Sequence, residues 1–295
     1  MLRLKAKNSD KAKRVDVFIA ENLPNYSRSS LSGLFNKELV MVNNQPVKPS
    51  YKLRESDKLE IDTSLLSARP ETVDLPILYE DKNIIVINKP AGVLTHSKGA
   101  LNTEASVASF IKPKLNDKNS TSNRAGIVHR LDRATSGVII TAKNEVTMKW
   151  LQKQFSTRKV NKTYTAIVEG VPQLKAAIID APIERNPKKP QTFRVGSNGR
   201  SASTNYKVLK ELNPSTTLRA GKSYSLLELK PETGRTHQLR VHLKHIGHPI
   251  IGDSVYGHAG DNMYLYAKSL EITLTGGRRY KFEAPEPKIF RDFIE

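Results

Sequence analysis

Asp132 follows His129-Arg130-Leu131 directly and precedes Arg133, a small polar turn at Thr135-Ser136-Gly137, and an apolar β-branched run, Val138-Ile139-Ile140. An acid among basic and small residues, on a loop feeding a strand, is exposed yet rigidly carried, a setting in which side chains do chemistry. The same spacing would also serve an ordinary ion pair with Arg130 or Arg133, because structural pairs cluster charge too. Two later segments read as parts of one site with it. KTYTAIVEG, at 162–170, is an alternating strand carrying Tyr164, and ETGRTHQLRVHL, at 232–243, supplies Arg235 and Arg240.

Other chemistries are disfavoured by composition and spacing. The chain has no cysteine, which removes disulfides, zinc–thiolate sites and thiol nucleophiles together. His237, His242, His245 and His248 crowd one segment, but their spacing does not turn three ligands to one face, and no carboxylate accompanies them in helical register. We therefore expect no metal site. Lys89-Pro90 lacks the glycine pattern of a phosphate loop and reads as a structural turn. Ser136 lacks the G-x-S-x-G setting of a nucleophile elbow.

The elements that must position these residues can be traced in order. Residues 1–13 read as a basic, frayed lead-in, and 14–62 as a compact unit. Val15, Phe18, Ile19 and Leu23 recur at helical spacing up to Pro24-Asn25. Ser27, Ser29 and Ser30 are candidate N-caps of a second helix through about Lys37, with Leu31, Leu34 and Phe35 inward. Short strands follow at Val40–Val42 and Leu53–Ile61, around a turn at Asn43-Asn44. Residues 63–74 read as a linker, and 75–295 as a larger domain. Its strands are expected at 84–88, 137–141, 162–169, 202–210, 223–230, 270–274 and 279–283. A polar loop spans Pro113–Arg124, a helix starts at Asn144 and runs to about Thr157, and a basic loop or loose hairpin covers Ala177–Arg200. A helix from Thr236 to Ile246 closes at Gly247, burying Leu239, Leu243 and Ile246. The expected class is α+β with mostly antiparallel strands.

Lys and Arg number 48 against 29 Asp and Glu, a net charge of +19. That surplus implies a polyanion partner, above all nucleic acid. No basic amphipathic helix, apolar span or signal-peptide core suggests a membrane, so the expected location is the cytoplasm. In the N-terminal unit Arg28, Lys37, Lys48, Lys52 and Arg54 read as cations without matching acids nearby.

With these motifs assembled, the chain resembles the pseudouridine synthases that modify large-subunit ribosomal RNA and some transfer RNA. NKPAGVLTH at 88–96, HRLDRATSG at 129–137, GRTHQLRVHL at 234–243 and GDSVYG at 252–257 match the family's pattern in order, over nearly the whole chain. Residues 14–62, with ELVMVNNQPVKPSYKLRESDKLEI, resemble the small RNA-binding domain named after ribosomal small-subunit protein four. The resemblance implies a cofactor-free enzyme that isomerises uridine in RNA. Asp132 would be the nucleophile, because a carboxylate both attacks and leaves readily. Attack at C1′, attack at C6 and a glycal route all stay open. Arg240 would pair with Asp132, Arg235 being its rival; Tyr164 would stack on uracil, its hydroxyl a possible proton acceptor. The target base must be flipped out, and His129 and Arg130 are candidates to fill the gap. Arg235, His237 and Gln238 are further candidates for RNA contact, as are Arg28, Lys37 and Lys52 in the N-terminal unit.

Two departures from the family pattern, Arg133-Ala134 after HRLD and Tyr266-Ala267 where a His-Ala pair is common, bear on RNA contacts. The extra unit and the charge favour 23S ribosomal RNA over transfer RNA, and a monomer is the default for a chain that must wrap a folded RNA. The competing reading is a ribosome-associated RNA-binding protein whose catalytic fold is silent; the presence of Asp132, Tyr164 and Arg240 argues against it.

Overall fold

The computed structural model describes all residues except 25, 68–70, 72, 98–102, 117–123, 125, 213–222 and 295, so most of the loop expected at 113–124 lies outside the described residues. The chain divides into two compact units, one of residues 1–73, 96–110 and 121–124, the other of 74–95, 111–120 and 125–295.

The first unit contains β1 (Leu2–Lys5), α1 (Val15–Asn22), α2 (Arg28–Asn36), β2 (Val40–Val42), β3 (Gln45–Pro46), β4 (Lys58–Ile61), α3 (Ser64–Ser67) and α4 (Val107–Ile111). Its core gathers Val15, Phe18, Ile19, Leu31, Leu34, Phe35, Val40 and Ile61, the helical and alternating positions expected. Ser27 caps α2 by accepting the Ser30 N–H at 3.2 Å. Asn43 and Asn44, both at positive φ, make the two-residue turn between β2 and β3, a conformation asparagine tolerates. Three expectations fail. Residues 2–5 are not frayed: β1 pairs antiparallel with β4 and lines the sheet edge, order β1-β4-β2-β3. The strand expected from Leu53 begins only at Lys58, because a turn closes Asp57 N–H onto Arg54 O. The segment read as linker starts with α3, whose Leu65 and Leu66 pack on this core.

The second unit contains β5 (Ile77–Glu80), β6 (Ile84–Lys89), β7 (Ser136–Ala142), α5 (Glu145–Ser156), β8 (Asn161–Glu169), β9 (Ala176–Asp180), β10 (Ile183–Arg185), β11 (Phe193–Val195), β12 (Ser203–Leu212), β13 (Tyr224–Pro231), α6 (Gln238–His245), β14 (Leu265–Thr273), β15 (Arg279–Glu283) and α7 (Lys288–Ile294). It is an α+β fold. One sheet runs β5-β6-β7-β14-β8-β13-β12-β9, with β15 on β14. Its pairs are antiparallel except β7 with β14. The basic stretch at 177–200 supplies β9's end and the separate β10–β11 hairpin.

Strand β7 reads as a continuous apolar run because it is buried along its length from Gly137. Gly137 sits at φ +107°, and a Cβ there would lie 2.2 Å from the Ala267 carbonyl oxygen. Only glycine lets β7 begin this close to β14, which fixes where the Asp132 loop leaves the sheet. Asn144 caps α5 through Thr147 N–H at 2.9 Å. Helix α7 was not expected; Phe290 and Phe293 pack it onto Tyr264 and Tyr266. Tyr266 is therefore core, 3 % exposed. Helix α6 starts at Gln238, two residues later than its sequence suggests, and Ile246 is only partly buried.

Candidate active site

The loop between residues 129 and 135 is held through its own backbone groups. Thr95 Oγ1 donates to Leu131 O at 2.8 Å and accepts from Leu131 N–H at 3.1 Å. One residue beyond Asp132, the Arg133 carbonyl accepts from Lys89 Nζ at 3.2 Å and from Gly92 N–H at 2.8 Å. Lys89 is fully buried and also donates to Pro90 O and Val93 O, at 2.8 and 2.9 Å. Burial pulls its pKa down to about 7. The Lys-Pro turn is thus structural, as expected, but the lysine itself is a tie across two loops.

Asp132 projects from this pinned loop into a cleft of about 420 Å³. Tyr164 from β8, Leu265 from β14, Phe155 from α5 and residues 231–240 from the end of β13 through the start of α6 complete the lining. Arg240 rises from the first turn of α6, and its Nη1 lies 3.4 Å from Asp132 Oδ2. Its shorter bonds go elsewhere: Nε and Nη2 make a fork to Asp253 Oδ2 and Oδ1, each 2.7 Å. Such a bidentate pair fixes the guanidinium in orientation as well as in place. Burial opposes its charge, yet the bonds and charge of Asp253, helped by Asp132, leave the Arg240 pKa raised. Asp253 is desolvated as well, and its bonds with Arg240 and with the Val255 and Tyr256 N–H groups hold its pKa below the usual range. Oδ1 of Asp132 has no hydrogen-bond partner among the described residues.

Arg235 does not compete for Asp132, since its Nε donates to Ser201 O at 3.0 Å. Tyr164, whose backbone pairs with Leu229 and Ala267, has a hydroxyl without a partner among the described residues. Burial, then the Asp132 charge, push its pKa up, so the phenol stays protonated and is a hydrogen-bond donor rather than a base at neutral pH. Lys162, two residues earlier, donates to Thr233 O at 3.0 Å and is lowered to about 8 by burial.

The remaining candidates separate sharply. His129 Nε2 accepts the Ile140 N–H at 3.0 Å, and its ring stacks on Phe155 at 4.5 Å. Desolvation, then the charge of Lys162, hold its pKa down to about 3. A ring so committed is a strut of the loop and is not available to fill a gap in RNA. Arg130, its neighbour, is exposed at the cleft and has no hydrogen bond or ion pair among the described residues. Gln238 is not a free contact either. Its carbonyl accepts from Thr233 Oγ1 (2.6 Å) and Arg235 N–H (3.0 Å), while its amide donates to Ser203 O (2.9 Å) and Thr204 Oγ1 (3.0 Å). All four bonding positions are spent on the protein, two on the 233–235 loop and two on β12.

His237 precedes α6 at φ +56°, with Nε2 3.9 Å from Asp132 Oδ2 and Nδ1 2.8 Å from the Tyr256 hydroxyl. The other three crowded histidines scatter. His242 binds Thr204 Oγ1 and Ala181 O, His248 binds Glu169 O, and His245 is exposed. Among the described residues no group of three or more His, Asp or Glu side chains could hold a metal ion.

In the other unit Arg28, expected to lack an acid, bonds Asp16 Oδ2 at 2.7 Å. The hydrogen bond from Arg14, opposed by burial and helped by Arg28, lowers Asp16 to about 2. Lys37 and Lys52 are exposed with no carboxylate partner among the described residues. Asp253, Tyr256, Lys89 and Thr95 escaped the sequence reading as site residues. All four lie inside the matched motifs, and that position is the only signal that could have flagged them.

A family model described as RNA pseudouridylate synthase matches residues 83–245. A protein of Aquifex aeolicus, described as an uncharacterised RNA pseudouridine synthase, is 35% identical across 98% of this chain and 95% of its own. One from Borreliella burgdorferi, named ribosomal large subunit pseudouridine synthase D, is 36% identical across 100% of this chain and 93% of its own. The solved structure of human RNA pseudouridylate synthase domain containing 1 is 29% identical, with a TM-score of 0.60 over 75% of this chain and 87% of that one.

Proposed function

The chain belongs to the RNA pseudouridylate synthase family and is an RNA-modifying isomerase, and on that premise we propose that it converts specific uridines of large-subunit (23S) ribosomal RNA to pseudouridine, with Asp132 as nucleophile. The observation that carries this reading is the state of Asp132. One of its oxygens faces the oriented Arg240 guanidinium, the other is unengaged, and both stand in a cleft that also holds an unpartnered tyrosine hydroxyl. The guanidinium orients the carboxylate through Oδ2, and the free oxygen is the one able to attack.

The net reaction breaks the bond from C1′ to N1 and forms one from C1′ to C5. A proton leaves C5 and one arrives at N1, so nothing is consumed and no redox group is required. Tyr164 would stack on the uracil and give it a hydrogen bond. Arg130, exposed and unengaged, would fill the place of the flipped base, whose extrusion costs a few kcal/mol. Arg235, anchored but half-exposed at the cleft, would meet phosphate, as would the basic β10–β11 hairpin. Lys37 and Lys52 would add RNA contacts from the N-terminal unit, each worth about 0.7–0.9 in the slope of log affinity against log salt. The name of the Borreliella relative supports a ribosomal large-subunit target.

The test incubates wild type and Asp132→Asn with a large-subunit ribosomal RNA transcript, and separately with transfer RNA, then maps pseudouridine by carbodiimide adduct and primer extension. Modification of the ribosomal transcript by wild type, slowed by roughly 10⁴-fold or more in the Asn variant, is the expected result. Modification of transfer RNA alone would overturn the target, and an active Asn variant would overturn the nucleophile.

A further inference from the structure

Tyr256 belongs to the 252–257 turn. Asp253 accepts its N–H at 3.1 Å and thereby seats its ring against the Arg240 guanidinium, 5.1 Å from centroid to Cζ. Its hydroxyl meets two groups, the Phe193 backbone N–H at 2.9 Å and His237 Nδ1 at 2.8 Å. A backbone N–H can only donate, so the Tyr256 oxygen accepts from Phe193. The hydroxyl proton then goes to Nδ1 of His237; the reverse assignment would leave that proton with no acceptor among the described residues. A neutral imidazole accepts at one nitrogen and carries its proton on the other. The proton of His237 is therefore on Nε2, the nitrogen that faces Asp132 Oδ2 at 3.9 Å. Burial, only partly offset by Asp132, holds the His237 pKa below its ordinary value, which keeps the ring neutral near neutral pH.

The backbone at this residue is also unusual. His237 is a non-glycine residue in the left-handed region, φ +56° and ψ +20°. Phe193 and Tyr256 clasp its ring edge-on, each with centroids 5.6 Å away. Strain of this kind persists only where surrounding contacts over-determine it, and it concentrates at functional sites.

We propose that Tyr256 fixes His237 as its Nε2–H tautomer, so that a neutral N–H joins Arg240 on Oδ2 of Asp132 and leaves Oδ1 as the reacting oxygen. The last clause rests on the reading of Asp132 as nucleophile. Tyr256 is then a positioning residue acting through His237. At 3.9 Å the N–H acts on Oδ2 as an oriented dipole.

The first arm of the test needs no RNA. In protein labelled with nitrogen-15 at histidine, the His237 ring is identified by its loss in His237→Gln. Near neutral pH its Nε2 should be protonated and its Nδ1 bare, and in Tyr256→Phe the two nitrogens should average. The second arm is single-turnover modification at saturating RNA. Tyr256→Phe should lower the rate about tenfold, with RNA affinity within about twofold of wild type.

The third arm compares two replacements of His237. Glutamine places an amide N–H where Nε2–H stood, whereas asparagine does not reach it but adopts the left-handed backbone more readily. A donor role predicts that Gln outperforms Asn by about fivefold or more, and a purely conformational role predicts the opposite order. A ring protonated on Nδ1, a tautomer unmoved by Tyr256→Phe, or Asn outperforming Gln would each overturn the proposal. Failure of wild type to modify any RNA would instead overturn the reading of the site, and with it the Oδ1 clause alone.

Discussion

The two walls of the cleft are built by different means. The wall bearing Asp132 is tied down through backbone groups: Thr95 brackets Leu131, Lys89 and Gly92 hold the Arg133 carbonyl, and His129 receives Ile140 N–H. The wall bearing Arg240 is tied down through charge, by the buried fork to Asp253. The difference suits the tasks proposed for the two side chains. A reacting carboxylate must keep an oxygen free, so its loop is fixed by neighbours that leave its side chain alone. A guanidinium that orients it has donors to spare and can be gripped directly.

This contrast predicts that the charged wall is the more brittle. Asp253→Ala leaves Arg240 buried, 6 % exposed, without its fork. Removing one partner of a buried pair costs about 3–5 kcal/mol. Urea unfolding should register that loss, together with loss of modification. An Asp253→Ala protein as stable as wild type would mean that the fork is not what holds this wall.

The neutral wall depends more on shape. Gly137→Ala sets a Cβ 2.2 Å from the Ala267 carbonyl oxygen at φ +107°, and should cost about 2–3 kcal/mol by the same measurement. Because the loop carrying Asp132 starts from this point, the single-turnover rate should fall further than the stability change alone explains. A rate unaffected in the fraction that remains folded would separate the β7–β14 approach from the chemistry.

A smaller, pH-dependent effect distinguishes His129 as a strut. Its folded pKa, about 3, lies below the ordinary histidine value near 6.5. Between those values the unfolded chain binds a proton that the folded one does not, so stability falls as pH drops below about 6.5 and is regained above it. His129→Gln keeps an acceptor for Ile140 N–H but cannot titrate. The stability gap between wild type and variant should therefore shift by about 1–2 kcal/mol in favour of the variant between pH 6.5 and about 5. A gap constant across that range would show that the ring is not buried in its neutral form.

How far the sequence revealed this arrangement depends on how local each cause is. The burial of β7, the Asn144 cap and the cores around α1 and α2 were legible, because periodicity and capping are set within a few residues. The start of α6 was not. His237 sits in the left-handed region with its ring bonded to Tyr256, nineteen residues downstream, and no local rule reports that contact. Helix α7 was missed for the same reason, its partners Tyr264 and Tyr266 lying on β14 or just ahead of it. The motifs pointed to Asp132, Tyr164 and Arg240, which line one cleft, but could not separate cleft-facing groups from scaffold among their neighbours. Gln238 and His129 carry polar groups suited to RNA and spend them on the protein.

The finest test of that separation is the pair His129 and Arg130, adjacent in sequence and opposite in commitment. Arg130→Ala removes no bond seen among the described residues, so stability should stay within about 0.5 kcal/mol of wild type. If Arg130 fills the space left by a flipped base, its removal makes the enzyme carry the few kcal/mol of unstacking unaided, and single-turnover modification of a paired uridine should slow by about ten- to a hundredfold. On the same RNA with the target uridine bulged or mismatched, that cost is already met by the substrate, and the deficit should largely vanish. His129→Gln should show no such dependence on pairing, because a strut serves both substrates alike. Equal impairment of Arg130→Ala on paired and bulged RNA would instead make Arg130 a phosphate contact, with the work of holding the duplex open done elsewhere in the cleft.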